Sequence, residues 1–325
     1  MKNFFRKFHI LFDKKKRSKH LRHRNMWLST IRGRQILHNL TKRRPKYISV
    51  KNNALPTLEW DTGFLALDKR DSNIDLDPII HKTERIISDN KHYIDAYVAA
   101  HGKNPIETPE DVIKRSNNRV SGKPYMVTLD LEPYYKHVPF IKLALNKEIV
   151  SIVSDYLGEI PKINDIRLLH SPNTSMKGGS QYYHYDKDDV KSVKLFFVLS
   201  DTDPEVPSLR LISTKKSSEI MEDYGPWKPF FRFSDEYIES QTEPSDIVPL
   251  YGKKGDIWLA DVCRCLHYGS RPARLPRTVL WVMYLTESRY KFPMRIHGGK
   301  KPDLRKHVDW KLSEVEKYML SGPYI

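Results

Sequence analysis

Cysteine is nearly missing from this chain: 325 residues contain two, Cys263 and Cys265. That excludes a disulfide-stapled scaffold and fits a reducing compartment. No apolar run approaches the roughly 18 residues a membrane-spanning helix needs, which excludes an integral helical membrane protein. A cytoplasmic protein, free or peripheral to a membrane, is the expectation. No motif recurs at a fixed period, which argues against a solenoid or a propeller. What is present suffices for a packed core: 39% hydrophobic and 30% charged residues exclude global disorder. The length is large for one simple domain but within reach of one β-rich domain with helical extensions.

Acidic residues are scarce in one place only. Residues 1–50 hold eight Lys and eight Arg against the single acid Asp13, a charge of +15, while the other 275 residues carry +1. The chain is therefore a nearly neutral protein with a cationic N-terminal arm. The arm is no secretory signal, because Arg6, Lys7 and His9 break its apolar stretch and no small-residue cleavage site follows. A long Lys run and few serines also argue against a transit peptide. Three readings stay open: a solvated tail, an amphipathic arm on anionic lipid through Phe4, Phe5, Phe8, Leu11 and Phe12, or contact with a phosphate-rich polyanion. No zinc-finger spacing or RNA-recognition signature accompanies the charge.

Residues 51–160 read as a mixed and helical region that packs on a core. Within it, 51–90 reads as loop and short elements. Thr108-Pro109-Glu110-Asp111 is a helix start, and a second helix is predicted from Lys147 to Leu157, stopped by Gly158 and Pro161. After Pro161 the pattern changes to short β-branched and aromatic segments: Ile163–His170, Gln181–Tyr185, Val190–Leu199, Ser208–Ile212, Ile247–Leu250, Asp256–Val262, Arg264–Tyr268 and Thr278–Leu285. About eight strands without long helices between them predict a β-sandwich or jelly roll over 161–290. An insertion at about 214–245 interrupts it and could lie over the mouth of a barrel. Residues 291–325 form a C-terminal extension.

His184-Tyr185-Asp186 ends one of these segments. In an extended chain residues i and i+2 face the same way, so this imidazole and carboxylate could grip one metal ion. A second such triplet, His307-Val308-Asp309, lies among lysines and arginines with no later His and is read as a chance match. After the first triplet come the apolar strand Val193–Leu199, then Gly255-Asp256 through Asp261, then Cys263-Arg264-Cys265-Leu266-His267. With His267 as third ligand, two His and one carboxylate make the facial triad of non-haem Fe(II) oxygenases. The bland counterparts are hydrogen-bonded sheet histidines and a turn-capping aspartate. Cys263 and Cys265 alternate with His267 and are expected on its side as small buried thiols, because Cys-x-Cys-x-His is not a usual zinc spacing.

Taken in order, Ser180 through Asp189, Lys194 through Asp201, and Gly255 through Gly269 resemble the phytanoyl-CoA dioxygenase-like branch of the Fe(II)/2-oxoglutarate-dependent oxygenases. The resemblance covers about 160–287. It implies a mainly β fold with flanking helices, the double-stranded β-helix or cupin-like jelly roll. It also implies Fe(II) bound by His184, Asp186 and His267, with 2-oxoglutarate as cosubstrate and O₂ as oxidant. The Arg that pairs with the distal carboxylate of 2-oxoglutarate lies about ten positions after the last His, which selects Arg277, with Arg271 and Arg274 as alternatives. The family often has Ser or Thr two residues after that His; here Gly269 stands there and Ser270 follows. Gln181 is a candidate for the cosubstrate, and Tyr182, Tyr183 and Tyr185 either line the pocket or pack. Halogenating relatives have a small residue at the position of Asp186, so a carboxylate implies hydroxylation or a related oxidation such as desaturation.

The expected function is a hydroxylase acting on an unactivated C–H of a small molecule with release of succinate and CO₂. Two other readings stand beside it. One is a non-catalytic jelly-roll binding protein whose basic arm docks on nucleic acid or anionic membrane. The other is an oxygenase of a macromolecule tethered by the arm. Nothing in the sequence names the substrate.

Overall fold

The computed structural model describes residues 32, 55–67, 75–101, 125–129, 131, 134–135, 139–173, 177–206, 208–228, 232–269, 271, 275–286 and 303–321. The N-terminal arm (save Arg32), the helix start at 108–111, Ser270 and Arg274 lie outside the described residues.

Two antiparallel sheets form the core. The larger has the order β1-β7-β4-β9-β3-β2, from β1 (Phe64–Leu67), β2 (Val127–Leu129), β3 (Lys162–Ser171), β4 (Ser192–Val198), β7 (Ile257–Ala260) and β9 (Arg277–Leu285). The smaller has the order β6-β5-β8, from β5 (Arg210–Ile212), β6 (Ile247–Pro249) and β8 (His267–Tyr268). Each pairing within them is antiparallel. Leu169, Phe196, Val279, Trp281 and Met283 from the larger sheet pack with Leu209, Leu211 and Cys265 from the smaller side. The two sheets thus face each other as a jelly roll, with helices flanking it.

The other face of the larger sheet is also buried. Val193, Leu195, Phe197, Leu280, Val282 and Tyr284 pack there against α1 (Asp77–Asp89), α3 (Phe140–Ala144), α4 (Lys147–Leu157) and α7 (Glu314–Leu320). Burial on both faces explains why β4 and β9 read as continuous apolar runs and not as alternating ones. In α4, Asn146 accepts hydrogen bonds from Glu148 N and Ile149 N, and Gly158 ends the helix at φ 71, a left-handed conformation glycine adopts freely. Lys162, fully buried, donates to Tyr318 O at 3.0 Å and lies over the Tyr318 ring, so α7 closes over the start of β3.

Three local expectations need correction. The reading of 51–90 as loop and short elements fails at its end, because α1 spans Asp77–Asp89; α2 (Lys91–His101) follows it. Pro78 sits at the start of α1, and Ile79, Ile80, Thr83 and Ile86 bury one helical stripe. Gln181–Tyr185 is not a ladder strand: Gly179–Gln181 is a 3-10 turn, followed by single bridges at Tyr183 and His184. Arg264–Tyr268 begins in a turn. Asp261 Oδ1 accepts from Cys263 N at 3.0 Å and Arg264 N at 3.1 Å, and this carboxylate clamp curls the chain before β8 starts.

The insertion between β5 and β6 carries α5 (Thr214–Tyr224) and α6 (Asp235–Glu239). Arg32 of the basic arm meets it, donating from its backbone to Pro226 O at 3.1 Å and pairing with Glu222 at 3.3 Å. Among the described residues no helix is long and apolar enough to cross a membrane.

Candidate metal centre

His184 and His267 are directly opposed on neighbouring segments. His184 N donates to His267 O at 2.9 Å and His267 N donates to His184 O at 3.0 Å. Directly opposed residues project to one face, and the two rings lie 4.3 Å apart between centroids. Asp186, two residues on, joins the same face, with its backbone N donating to Val262 O at 2.9 Å. One ligand atom from each of His184, Asp186 and His267 falls within 4.8 Å of the others.

The hydrogen bonds behind the rings decide what faces forward. His184 Nδ1 lies 2.8 Å from Tyr182 O, and His267 Nδ1 lies 3.0 Å from Cys265 O. A carbonyl only accepts, so each Nδ1 carries the proton and each Nε2 keeps its lone pair. Both contacts run from a residue to the carbonyl two positions earlier, a device built into the extended backbone on one side and the Asp261 turn on the other.

Electrostatics agree with this arrangement. Burial, then Arg232, lowers His184 to about 3, and burial likewise lowers His267, so both imidazoles are neutral at pH 7. Burial pushes the Asp186 carboxyl up, but the Lys194 ammonium together with His184 and His267 outweighs it, and the group stays ionised, well below the usual carboxylate range. Burial pushes Lys194 down, and Asp186 then raises it above its ordinary value. Lys194 contacts Asp186 Oδ2 directly and lies over Trp281 at 4.8 Å. The other oxygen, Oδ1, faces His184 Nε2 at 3.6 Å. Two neutral imidazoles, a carboxylate and ordered second partners are the donor set of a divalent first-row metal that keeps open positions. The residues therefore fit such an ion.

The other sequence-derived candidates fall in different places. Arg277 opens β9 opposite Ser171, in the same alternation as the inward-packed Val279, Trp281 and Met283. It is buried, which lowers it to about 10 and leaves it charged at neutral pH. Arg271 is committed elsewhere: its terminal nitrogens bond both Asp235 oxygens at 2.9 and 2.6 Å, its Nε donates to Gln181 O, and its plane stacks on Tyr268 at 3.4 Å. Gln181 Oε1 accepts from Gly178 N at 2.7 Å and closes the turn before the site. Tyr182 lies under Lys177, and its carbonyl orients His184. Tyr183 and Tyr185 belong to a core with Ile212, Ile220, Met221 and Phe233, and the Tyr185 hydroxyl donates to Ser217 O at 2.9 Å. That core is on the face of the segment opposite His184 and Asp186.

The thiols do not share the site. Cys265 packs between the sheets, and Cys263 Sγ accepts from Ser192 Oγ at 3.2 Å, so the Asp261 turn breaks the alternation expected with His267. His307 and Asp309 join no metal-binding group among the described residues. A surface groove of about 680 Å³ bordered by Trp60, Asp61, Glu219 and Arg264 contains none of the site residues. Two cations near the centre escaped sequence reasoning, Lys194 and Arg232. A lysine inside the apolar run Val193–Leu199 was the available signal for the first; Arg232 had none.

No family model matches the chain, and no curated protein is similar to it in sequence. Solved structures to which it is similar include EctD from S. alaskensis with 2-oxoglutarate and 5-hydroxyectoine, at 17% identity, 76% of this chain, 84% of that chain and a TM-score of 0.48. They also include SnoN, a non-heme alpha ketoglutarate dependent epimerase from nogalamycin biosynthesis, at 12% identity, 70% of this chain, 80% of that one and a TM-score of 0.43. EvdO2 from Micromonospora carbonacea var. aurantiaca follows at 15% identity, 69% of this chain, 86% of that one and a TM-score of 0.39.

Proposed function

We propose that this chain is an Fe(II)- and 2-oxoglutarate-dependent oxygenase that hydroxylates an unactivated C–H bond of a small molecule. The observation that carries the reading is the convergence of His184, Asp186 and His267, with both imidazoles neutral and their Nε2 lone pairs aimed forward. These three residues would hold an ion as the facial triad of non-haem Fe(II) oxygenases does, a ligand set that leaves room for other ligands. Bound there, the ion and its cosubstrate supply the oxidising power, with succinate and CO₂ released as C–H becomes C–OH.

The protein's share is placement. His184 and His267 would hold the ion through Nε2, because their Nδ1 protons are tied to backbone carbonyls. Asp186 supplies one oxygen, its other being held by Lys194. That carboxylate occupies the position where a small residue would admit halide, which favours hydroxylation. Arg277, charged and buried at the head of β9, is the group for the distal carboxylate of 2-oxoglutarate, whose geometry its planar fork matches.

Anaerobic addition of Fe(II) and then 2-oxoglutarate to the full chain tests the reading. A weak visible charge-transfer band is expected, and His184→Ala or His267→Ala should abolish it. Substrate-stimulated succinate formation would then identify substrates. If the wild-type protein gives no band, the oxygenase reading falls and the non-catalytic binding protein takes its place.

A further inference from the structure

The metal centre has a neighbour that arrives from the insertion. Tyr183 and Phe233 form an antiparallel bridge, Phe233 N donating to Tyr183 O at 3.0 Å. That register sets Arg232 opposite His184. Tyr183 and Phe233 share one core cluster on one face. Side chains alternate along extended backbone, so Arg232 and His184 share the other face. His184 is bridged in turn to His267. A row Arg232–His184–His267 thus crosses three chain segments on the metal side.

Arg232 is also fixed in position. Its Nε donates to Gly179 O at 2.9 Å. Gly179 has φ 52, and a Cβ there would meet the Tyr125 hydroxyl at 1.9 Å, so the turn that supplies this carbonyl needs glycine. The guanidinium lies close enough to the centre for its charge to depress both imidazoles, and Asp186 in turn favours its charged form.

A guanidinium held on the metal-facing side adds positive potential there, and its planar fork matches a carboxylate or phosphate. The distal carboxylate of 2-oxoglutarate is assigned to Arg277 on the larger sheet, whereas Arg232 projects from the insertion between β5 and β6. We propose that Arg232 recognises a carboxylate or phosphate of the substrate, making it the residue that selects an anionic small molecule. This inference rests on the oxygenase reading and names its substrate class.

The test uses the full chain with Fe(II) and 2-oxoglutarate without oxygen, titrated by calorimetry with acetate and benzoate and with their neutral twins acetamide and benzamide. At least one acid should bind saturably and at least tenfold more tightly than its amide. Arg232→Gln should weaken that acid at least tenfold while moving the 2-oxoglutarate titration, read from the charge-transfer band, by less than twofold. Arg232→Lys should recover part of the loss, and unchanged circular dichroism spectra show that the variants fold. Equal binding of acid and amide, no binding of either acid, or an Arg232→Gln variant with wild-type acid affinity would each overturn the proposal. A weakened 2-oxoglutarate titration in Arg232→Gln overturns it too, because the anion is then the cosubstrate's. If wild type gives no charge-transfer band, the oxygenase reading fails separately, and the same titrations on metal-free protein still decide whether Arg232 holds an anion.

Discussion

Lys194 and His184 sit on opposite sides of one carboxylate: the ammonium contacts Asp186 Oδ2, and Asp186 Oδ1 faces His184 Nε2 at 3.6 Å. The lysine comes from the middle of β4, where Val193, Leu195 and Phe197 face the helices and Lys194 alternates to the inner side over Trp281. A metal at the imidazoles would therefore meet a carboxylate whose second oxygen is already engaged.

Lys194→Met tests this coupling. Methionine keeps most of the stem and a favourable contact with the indole, and it removes the charge that most depresses Asp186. The Asp186 pKa should rise, so protons compete with metal at higher pH. The midpoint of acid-driven Co(II) release, followed by visible absorption, should move up by roughly 1 pH unit. An unmoved midpoint would show that Lys194 does not control this carboxylate.

The buried imidazoles make the metal-free protein acid-sensitive. Burial lowers His184 to about 3 and lowers His267 as well, whereas the unfolded chain titrates near 6.5. Below that value the unfolded state takes up protons that the folded state does not. Stability then falls with falling pH by about 1.4 kcal/mol per pH unit for each imidazole. Asp186 acts lower: as a depressed carboxylate it contributes above its unfolded value, and that contribution is lost only as pH falls through the folded pKa. Urea midpoints at pH 7.5 and 5.5 should differ clearly for wild type and less for His184→Gln. Saturating Zn(II) at pH 7.5 should raise the wild-type midpoint by mass action and raise that of His184→Gln less.

How far the sequence reached can be judged residue by residue. The helix 147–157 was legible to the residue because its start and stop are local chemistry, an Asn cap and a left-handed Gly. The larger-sheet strands β4 and β9 were legible because burial on both faces leaves largely apolar runs. His184 and Asp186 were legible from i, i+2 alternation, and the resemblance paired them with His267. Residues 77–89 were misread because the acidic and proline-containing stretch around their start hid the buried Ile79, Ile80 and Ile86 stripe. The Asp261 turn was missed because a carboxylate accepting backbone N–H groups looks no different in sequence from one in a strand. Arg232 was out of reach, since its neighbour His184 lies 48 positions away and they are joined by long-range contacts such as the Tyr183–Phe233 bridge.

The tyrosines separate by alternation, and this too can be measured. Tyr185 donates to Ser217 O inside the core under α5. Tyr185→Phe should cost about 1 kcal/mol or somewhat more, since a buried carbonyl loses its donor. Metal affinity should be unchanged, because the ring points away from His184 and Asp186. A variant of full stability with altered metal or cosubstrate affinity would place Tyr185 in the pocket after all.

The mouth of the roll is fastened by Arg271. Its guanidinium bonds Asp235 through both terminal nitrogens, stacks on Tyr268, and donates to Gln181 O, so it ties α6 to the turn that precedes the metal segment. Lys177 adds a second cation to Asp235 at 2.9 Å. The pair is about one-fifth exposed on each side, between the surface limit, where such pairs contribute under about 1 kcal/mol, and the buried limit, where breaking one costs about 3–5 kcal/mol. Arg271→Gln should therefore cost about 1–3 kcal/mol in urea denaturation. It should also speed proteolytic cleavage between α5 and α6, while Fe(II) affinity changes little because no ligand atom touches Arg271. Lysine has neither the planar fork nor the stacking face, so Arg271→Lys should resemble Arg271→Gln. If Arg271→Lys kept wild-type stability and protease resistance, the fastening would be a matter of charge alone, and the bidentate and stacked geometry would carry no weight.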